Sequence, residues 1–317
     1  MNPNQADHLI TILQSLQQRM DAYLPMPPAT PDFTKQLAFR WRKKNGQGFL
    51  QPVAQPHKIR FSDLLDCDTQ RERIEANTRQ FVQGKPANNV LLTGARGTGK
   101  SSLVKAAFNQ FSRKHLRLIE VDKADLVDLA DITDQIAAAP QRFIIFCDDL
   151  SFEANDPGYK SLKVALDGSI ANAADNMLIY ATSNRRHLMP EKMSENMEAV
   201  HAENGEIHPG ETTEEKISLS ERFGLCLTFY GFDQDQYLAV AKHWVEHYLR
   251  HCFKIADDPK GAVQHGNKAV SGIIVDKNTA IDEAHFRKAA LLWALERGAR
   301  SGRVAVQFAK DYVGSQY

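Results

Sequence analysis

The sequence predicts an α/β fold in which a parallel sheet is sandwiched by helices and followed by a mainly helical C-terminal region. Three observations carry this. From about residue 87 short apolar runs alternate with amphipathic ones; the loop GARGTGKS (94–101) follows the first of these runs; and RFIIFCDD (142–149) drives an apolar strand straight into paired carboxylates. Strands alternating with helices of that length read as βαβ crossovers, whose strands are buried on both faces.

In order, NNVLLTG (88–94) is a strand, KSSLVKAAFNQF (100–111) a helix and LRLIEV (116–121) a second strand. ADLVDLADITDQIAAA (124–139) is a second helix ended by Pro140, and RFIIFCDD a third strand. YKSLKVALDGSIANA (159–173) is a third helix, and NMLIYATSN (176–184) a fourth strand. Residues 185–217 break the rhythm. Glu191, Glu195, Glu198, Glu203, Glu206, Glu211, Glu214 and Glu215 face only Arg185, Arg186, Lys192 and Lys216. A polar stretch of that length reads as a functional insertion or mobile loop. LCLTFYGF (225–232) restores a strand, and helical patterns follow, interrupted by a Gly/Lys/Asp-rich loop near 256–278. Upstream, Leu9, Ile12, Leu13, Leu16 and Met20 mark a helix over 7–20, and the prolines between Pro25 and Pro31 a linker.

Composition narrows the function classes. Lys+Arg and Asp+Glu are 39 each, so no global basic field draws the chain to nucleic acid or an anionic membrane. Apolar stretches fall short of the ~18 residues of a membrane span, and MNPNQADHLI lacks the pattern of a signal peptide. Cys67, Cys147, Cys226 and Cys252 are far apart and without a CxxC, as expected of reduced core thiols. A soluble, cytoplasmic protein is expected.

GARGTGKS fits G-x-x-x-x-G-K-[ST] at every fixed position, between a strand and a helix. Gly94 and Gly99 let backbone N–H groups turn inward around phosphate oxygens, at a helix N-terminus whose dipole favours anions. Gly94, Ala95, Arg96, Gly97, Thr98, Gly99, Lys100, Ser101 and Ser102 are thus the expected nucleotide-contacting residues. Lys100 reaches the β- and γ-phosphates of ATP, and the Ser101 hydroxyl is a ligand for Mg2+. The acidic strand supplies the rest. Asp148 is expected to hold Mg2+, and Asp149 to orient the attacking water. Glu153 is a weaker candidate for that second role.

A phosphate loop, an acidic strand, a strand ending in TSN and RFG ahead of a helical region together resemble the AAA+ ATPases. The resemblance implies a P-loop NTPase sheet with a C-terminal helical lid. It makes Asn184 the polar residue that helps place the lytic water, and Arg222, in KISLSERFGL (216–225), an arginine finger acting on a neighbouring subunit's nucleotide. Arg222 stands ahead of Arg185 and Arg186 for that role. RGARSGRVAVQFAKDY resembles the sensor-2 helix, which makes Arg303 the arginine acting within the subunit and Arg300 the runner-up. More narrowly, NNVLLTGARGTGKSSLVKA, CDDLSFE, ATSNRRHLMPE, HPGETTEEKISLSERFGL and SGRVAVQF resemble a bacterial family of predicted AAA+ ATPases described only by a domain of unknown function, over about residue 55 to the end. This chain has Asp-Asp where the superfamily usually has Asp-Glu.

Two further patterns carry less weight. HWVEH fits the inverted zinc-protease motif with His243, Glu246 and His247, and His251 one turn on, but sits in the implied lid without further ligands and reads as an ordinary lid helix. FRWRKKNGQGF (39–49) interleaves Phe39, Trp41 and Phe49 with Arg40, Arg42, Lys43 and Lys44, which suits either nucleic-acid contact or a hairpin packing Trp41 on the core.

The expected organisation is an N-terminal accessory segment (1–57), a nucleotide domain (58–230) and a lid (231–317). The expected function is hydrolysis of Mg-ATP by a homo-oligomer, coupled to conformational change or remodelling of an unknown macromolecular client. A DNA-associated loader or initiator, contacting nucleic acid through 39–49, and a nucleotide-dependent binding switch with little turnover are the alternatives.

Overall fold

The computed structural model describes residues 30–152, 156–167, 175–185, 219–252 and 281–316, together with Ile12 and Ser15. The helix expected over 7–20 apart from those two residues, the start of the proline linker, Glu153, Arg186, the remainder of the 185–217 insertion and the 256–278 loop lie outside them. Among the described residues seven strands form one sheet in the order β2-β1-β4-β5-β6-β3-β7. They are β1 Ala38–Lys44, β2 Gln47–Pro52, β3 Val90–Gly94, β4 Leu116–Glu120, β5 Arg142–Cys147, β6 Met177–Ser183 and β7 Leu225–Phe229. The β1–β2 pair is antiparallel and every other pairing parallel. The central strands read as continuous apolar runs because both faces are covered: Phe143 through Cys147 are all fully buried.

Helices α1 Asp68–Val82, α2 Lys100–Phe111, α3 Leu129–Ala137 and α4 Pro157–Asp167 cover the sheet. One face packs Ile119, Phe143, Ile145 and Ile179 against Leu129, Ile132 and Leu162. The other packs Val90, Leu92, Ile144 and Tyr180 against Ile74, Phe81, Leu103 and Phe108. Helix α1 had no signal in the alternation pattern, since much of its buried face is polar. Thr78 and Asn77 there bond the Tyr180 hydroxyl at 2.8 and 3.1 Å, and burial pushes that phenol up to about 12. Three further helices, α5 Gln234–Cys252, α6 Glu283–Glu296 and α7 Gly302–Gln316, form a separate core around Tyr237, Ala241, Val245, Phe286, Phe308 and Tyr312. No helix among the described residues is long and apolar enough to cross a membrane.

The segment expected to be an accessory element is part of the main sheet. Strand β1 pairs in parallel with β4, Ala38 opposite Leu118 and Arg40 opposite Glu120. Phe39 and Trp41 are each only 1% exposed, so neither offers a ring for base stacking. Three of the four intervening cations are paired: Arg40 with Glu120 at 2.6 Å, Arg42 with Asp122 at 2.8 Å, and Lys43 with Asp128 at 2.6 Å. The stretch 39–49 is thus a hairpin that packs Trp41 on the core, one of the two readings its sequence offers, with Lys44 exposed and Phe49 partly buried. These contacts also explain a second difference. The single helix expected over 124–139 is split into a 3-10 segment, Lys123–Asp128, and α3. In a 3-10 turn residues i and i+3 eclipse, which turns both Asp125 and Asp128 toward Lys43.

Trp41 lies flat over Gly48, where a Cβ would fall 2.0 Å from the indole, and its Nε1 donates to Asp128 Oδ2 at 2.9 Å. Trp41→Ala removes a fully buried indole and orphans part of Asp128. It should cost about 3–5 kcal/mol, measured by urea unfolding.

Candidate functional site

The site grows from the end of β3. Gly94 has φ +124, and a Cβ there would lie 1.8 Å from the Phe229 carbonyl oxygen, so only glycine lets the loop leave the sheet beside β7. Gly97 and Gly99 also have positive φ, and Thr98 Oγ1 closes the loop on the Ala95 carbonyl at 2.9 Å. Helix α2 then starts at Lys100, and its N-terminus and free amides face the loop's interior. Lys100 is 5% exposed, and Nζ donates to the Gly94 and Ala95 carbonyls at 2.9 and 2.7 Å and to Asn184 Oδ1 at 2.9 Å. Burial lowers the Lys100 pKa from the ordinary lysine value, while Asp149 and Asp148 pull the other way.

Strand β5 brings the two acids to the same point. Ser101 Oγ donates to Asp148 Oδ1 at 2.6 Å, so the hydroxyl and carboxylate expected to share a metal are in contact. Thr182, buried at the end of β6, donates to the same Asp148 oxygen at 2.5 Å and accepts from the Asp149 N–H at 2.9 Å. Asn184 Nδ2 donates to Asp149 Oδ1. Lys100, Asn184, Asp149, Thr182, Asp148 and Ser101 thus form one hydrogen-bonded chain across three strand ends. Asp149 itself has φ +54, a left-handed conformation that Asp and Asn tolerate better than other side-chain-bearing residues.

A cavity of about 760 Å³ opens over this chain. Its floor is Arg96 to Ser102 with Asp148, Asp149, Thr182 and Asn184; the lid contributes Trp244, Gly302 and Arg303, and the segment before α1 contributes Ile59, Asp63 and Leu64. Asp148 and Asp149 therefore converge with the loop, as does Asn184. Arg303 reaches the cavity rim, whereas Arg300 is not among its lining residues. Arg222 lies away from this chain's own cavity, its Nε donating to Asp167 Oδ1 at 2.5 Å at the end of α4.

Sequence reasoning missed Thr182, Trp244 and Gly302. The hydroxyl at the end of β6 was visible in TSN, but only pairing with β5 turns it toward both acids. The HWVEH stretch acquires a different role from zinc binding: His243 and His247 stand edge-on to Trp244, with ring centroids 5.7 and 5.0 Å away, and brace it at the cavity wall. Cys147, immediately before Asp148, is fully buried, which pushes its thiol up to about 12 and keeps it protonated.

The strand order, a phosphate loop after the strand between β6 and β7, acids on the neighbouring β5 and, among the described residues, three helices over the crevice are the P-loop α/β architecture that the resemblance to the AAA+ ATPases implied. The chain belongs to the family described as Protein of unknown function (DUF815), whose profile matches residues 34–316. That match includes the hairpin of β1 and β2 and starts well before the resemblance noted at residue 55. No curated protein matches the chain significantly. Among solved structures, a point mutant of Thermotoga maritima RuvB is 14% identical with a TM-score of 0.44, covering 80% of this chain and 64% of that one. C. elegans PCH-2 is 15% identical with a TM-score of 0.39, covering 84% and 67%. The Thermotoga maritima RuvB Holliday junction branch migration motor is 11% identical with a TM-score of 0.39, covering 80% and 71%. The chain thus spans 64% of the length of the first of these.

Proposed function

We propose that this protein binds Mg-ATP in the cavity between sheet and lid and hydrolyses it, coupling turnover to remodelling of a macromolecular client. The observation that carries the proposal is the hydrogen-bonded chain from Lys100 to Ser101, which sets an ammonium, a water-orienting pair and a hydroxyl–carboxylate pair around one helix N-terminus. The donor set fits Mg2+, a hard ion that takes oxygen ligands and keeps several waters. Ser101 and Asp148 would hold it, and when bound it neutralises charge on the phosphates.

The chain's own residues do the rest. Loop amides and Lys100 cradle the phosphates. Asp149 accepts a hydrogen bond from the attacking water, and Asn184, bonded to both Asp149 and Lys100, fixes where that water sits between base and γ-phosphate. Arg222 serves the neighbouring subunit of a homo-oligomer, where a guanidinium offsets transition-state charge. Arg303 reads the phosphates from the lid. Steady-state release of phosphate from ATP by purified protein, with no acceptor present, tests the reading and separates it from phosphoryl transfer to a substrate. Binding without release would instead favour a nucleotide switch, a reading to which the short Asp149 side chain lends weight. Stimulation by single-stranded DNA would revive the loader reading against the burial of Phe39 and Trp41.

Thr182→Val keeps the shape of the strand end but removes the hydroxyl that bridges Asp148 and the Asp149 amide. Partners that orient metal-binding carboxylates are worth about 10–100-fold in metal affinity or activity. The variant should need about tenfold more Mg2+ for half-maximal hydrolysis, read from a magnesium titration.

A further inference from the structure

The lid touches the phosphate loop through its backbone. The Gly302 N–H, at the first position of α7, donates to the Gly97 carbonyl at 2.8 Å. A side chain at either position would crowd this junction. A Cβ on Gly97 would stand 2.8 Å from Ser301 Cβ, and one on Gly302 would stand 3.0 Å from the Gly97 oxygen. Ser301 is nearly buried at this junction and caps α7, its Oγ accepting from the Val304 N–H at 3.3 Å. Behind that cap, Ala305, Phe308, Ala309 and Tyr312 are locked into the lid core with Tyr237, Ala241 and Val245. The loop's turn at Gly97, held at φ +74, is therefore bonded directly to a helix whose apolar face is part of the lid core.

We propose that this backbone bond is a latch that ties the orientation of the lid to the geometry of the phosphate loop, with Gly302 as a positioning residue for nucleotide binding. An N–H that would otherwise be one of the unpaired donors of a helix start is spent on the loop. Any lid rotation must break or carry that carbonyl, and by reciprocity any change in the loop on phosphate binding biases the lid. Arg303 is then delivered to the cavity by a hinge already seated on the loop, rather than by its own reach. The inference rests on the reading of the cavity as a nucleotide site.

The test compares full-length wild type with Gly302→Ala and Ser301→Ala, by titration with a fluorescent N-methylanthraniloyl ATP and by hydrogen exchange of the peptides spanning 94–99 and 301–306. Gly302→Ala should weaken binding of the probe about tenfold, within the usual range of coupling between sites. It should also speed exchange in both peptides of the nucleotide-free protein, with the melting temperature little changed. Ser301→Ala adds no atom to the junction and should move both peptides in the same direction by less, so it keeps the test alive if the glycine variant fails to fold. Faster exchange confined to 301–306 is what a purely structural helix start would give, and would overturn the latch, as would unchanged probe affinity. If wild-type protein does not bind the probe at all, the nucleotide reading fails, and the paired exchange rates still decide whether loop and lid are coupled.

Discussion

Asp149→Asn should lower phosphate release by about 10²–10⁴-fold, the usual weight of a positioned general base, while leaving ATP affinity within about threefold. Asparagine is the informative replacement because it changes one thing. It tolerates the left-handed backbone at φ +54 nearly as well as aspartate, and its side-chain oxygen can still accept from Asn184. The variant therefore folds as the parent does and loses only the carboxylate charge. Glutamate, the commoner residue after the metal-binding acid, would have to adopt that left-handed backbone at a cost of about 1–2 kcal/mol. Rapid-quench hydrolysis and equilibrium binding on the same preparation check the prediction. Full activity of Asp149→Asn, with loss of activity in Glu153→Gln, would move the base to Glu153.

Arg222→Ala is expected to have the larger effect. Arginine fingers are worth about 10³–10⁵ in rate, or about 4–7 kcal/mol of barrier. Against this stands the half-exposed pair with Asp167, at 2.5 Å; pairs of that kind contribute about 0–1 kcal/mol. Giving up the Asp167 pair is thus a small cost beside the effect of Arg222 on a partner's phosphate. The geometry of action is separately testable. An Asp149→Asn subunit still carries Arg222, and an Arg222→Ala subunit still carries Asp149. Mixing the two inactive proteins should restore hydrolysis well above either alone, because mixed oligomers contain complete sites. No recovery on mixing, with the variants shown to co-assemble, would place Arg222 outside the site altogether.

Most of the central sheet was legible because its signals are local. Strands β3 to β7 and helix α2 lie within a residue or two of where apolar period and punctuation put them, with β7 ending three residues early, and the phosphate loop is a contiguous string. What stayed hidden depends on distant pairs. Arg40 finds Glu120 and Trp41 finds Asp128 across some eighty residues, so the sequence shows basic and aromatic letters without the carboxylates that neutralise them. Thr182 is an unremarkable strand-end hydroxyl until β5 and β6 are in register, Cys147 opposite Ala181. The contact of Gly302 with Gly97 joins a glycine of the phosphate loop to one at the start of the last helix, some two hundred residues on, and nothing local announces the pair. Arg222 was singled out by its surroundings in the sequence, and its position outside the chain's own cavity is compatible with action on a neighbour.

The parallel seam between β1 and β4 has a mechanical meaning. Its backbone bonds run side by side along the strand axis, and the Arg40–Glu120 and Trp41–Asp128 contacts reinforce the same seam. A pull on the residues ahead of Ala38, directed along β1, loads all of these together in shear instead of peeling them one at a time. A cargo or tether attached to that end would transmit tension into the same sheet whose far tips hold Asp148 and Asp149. Force applied just ahead of Ala38 would thus be borne by the main sheet rather than by a separately hinged element.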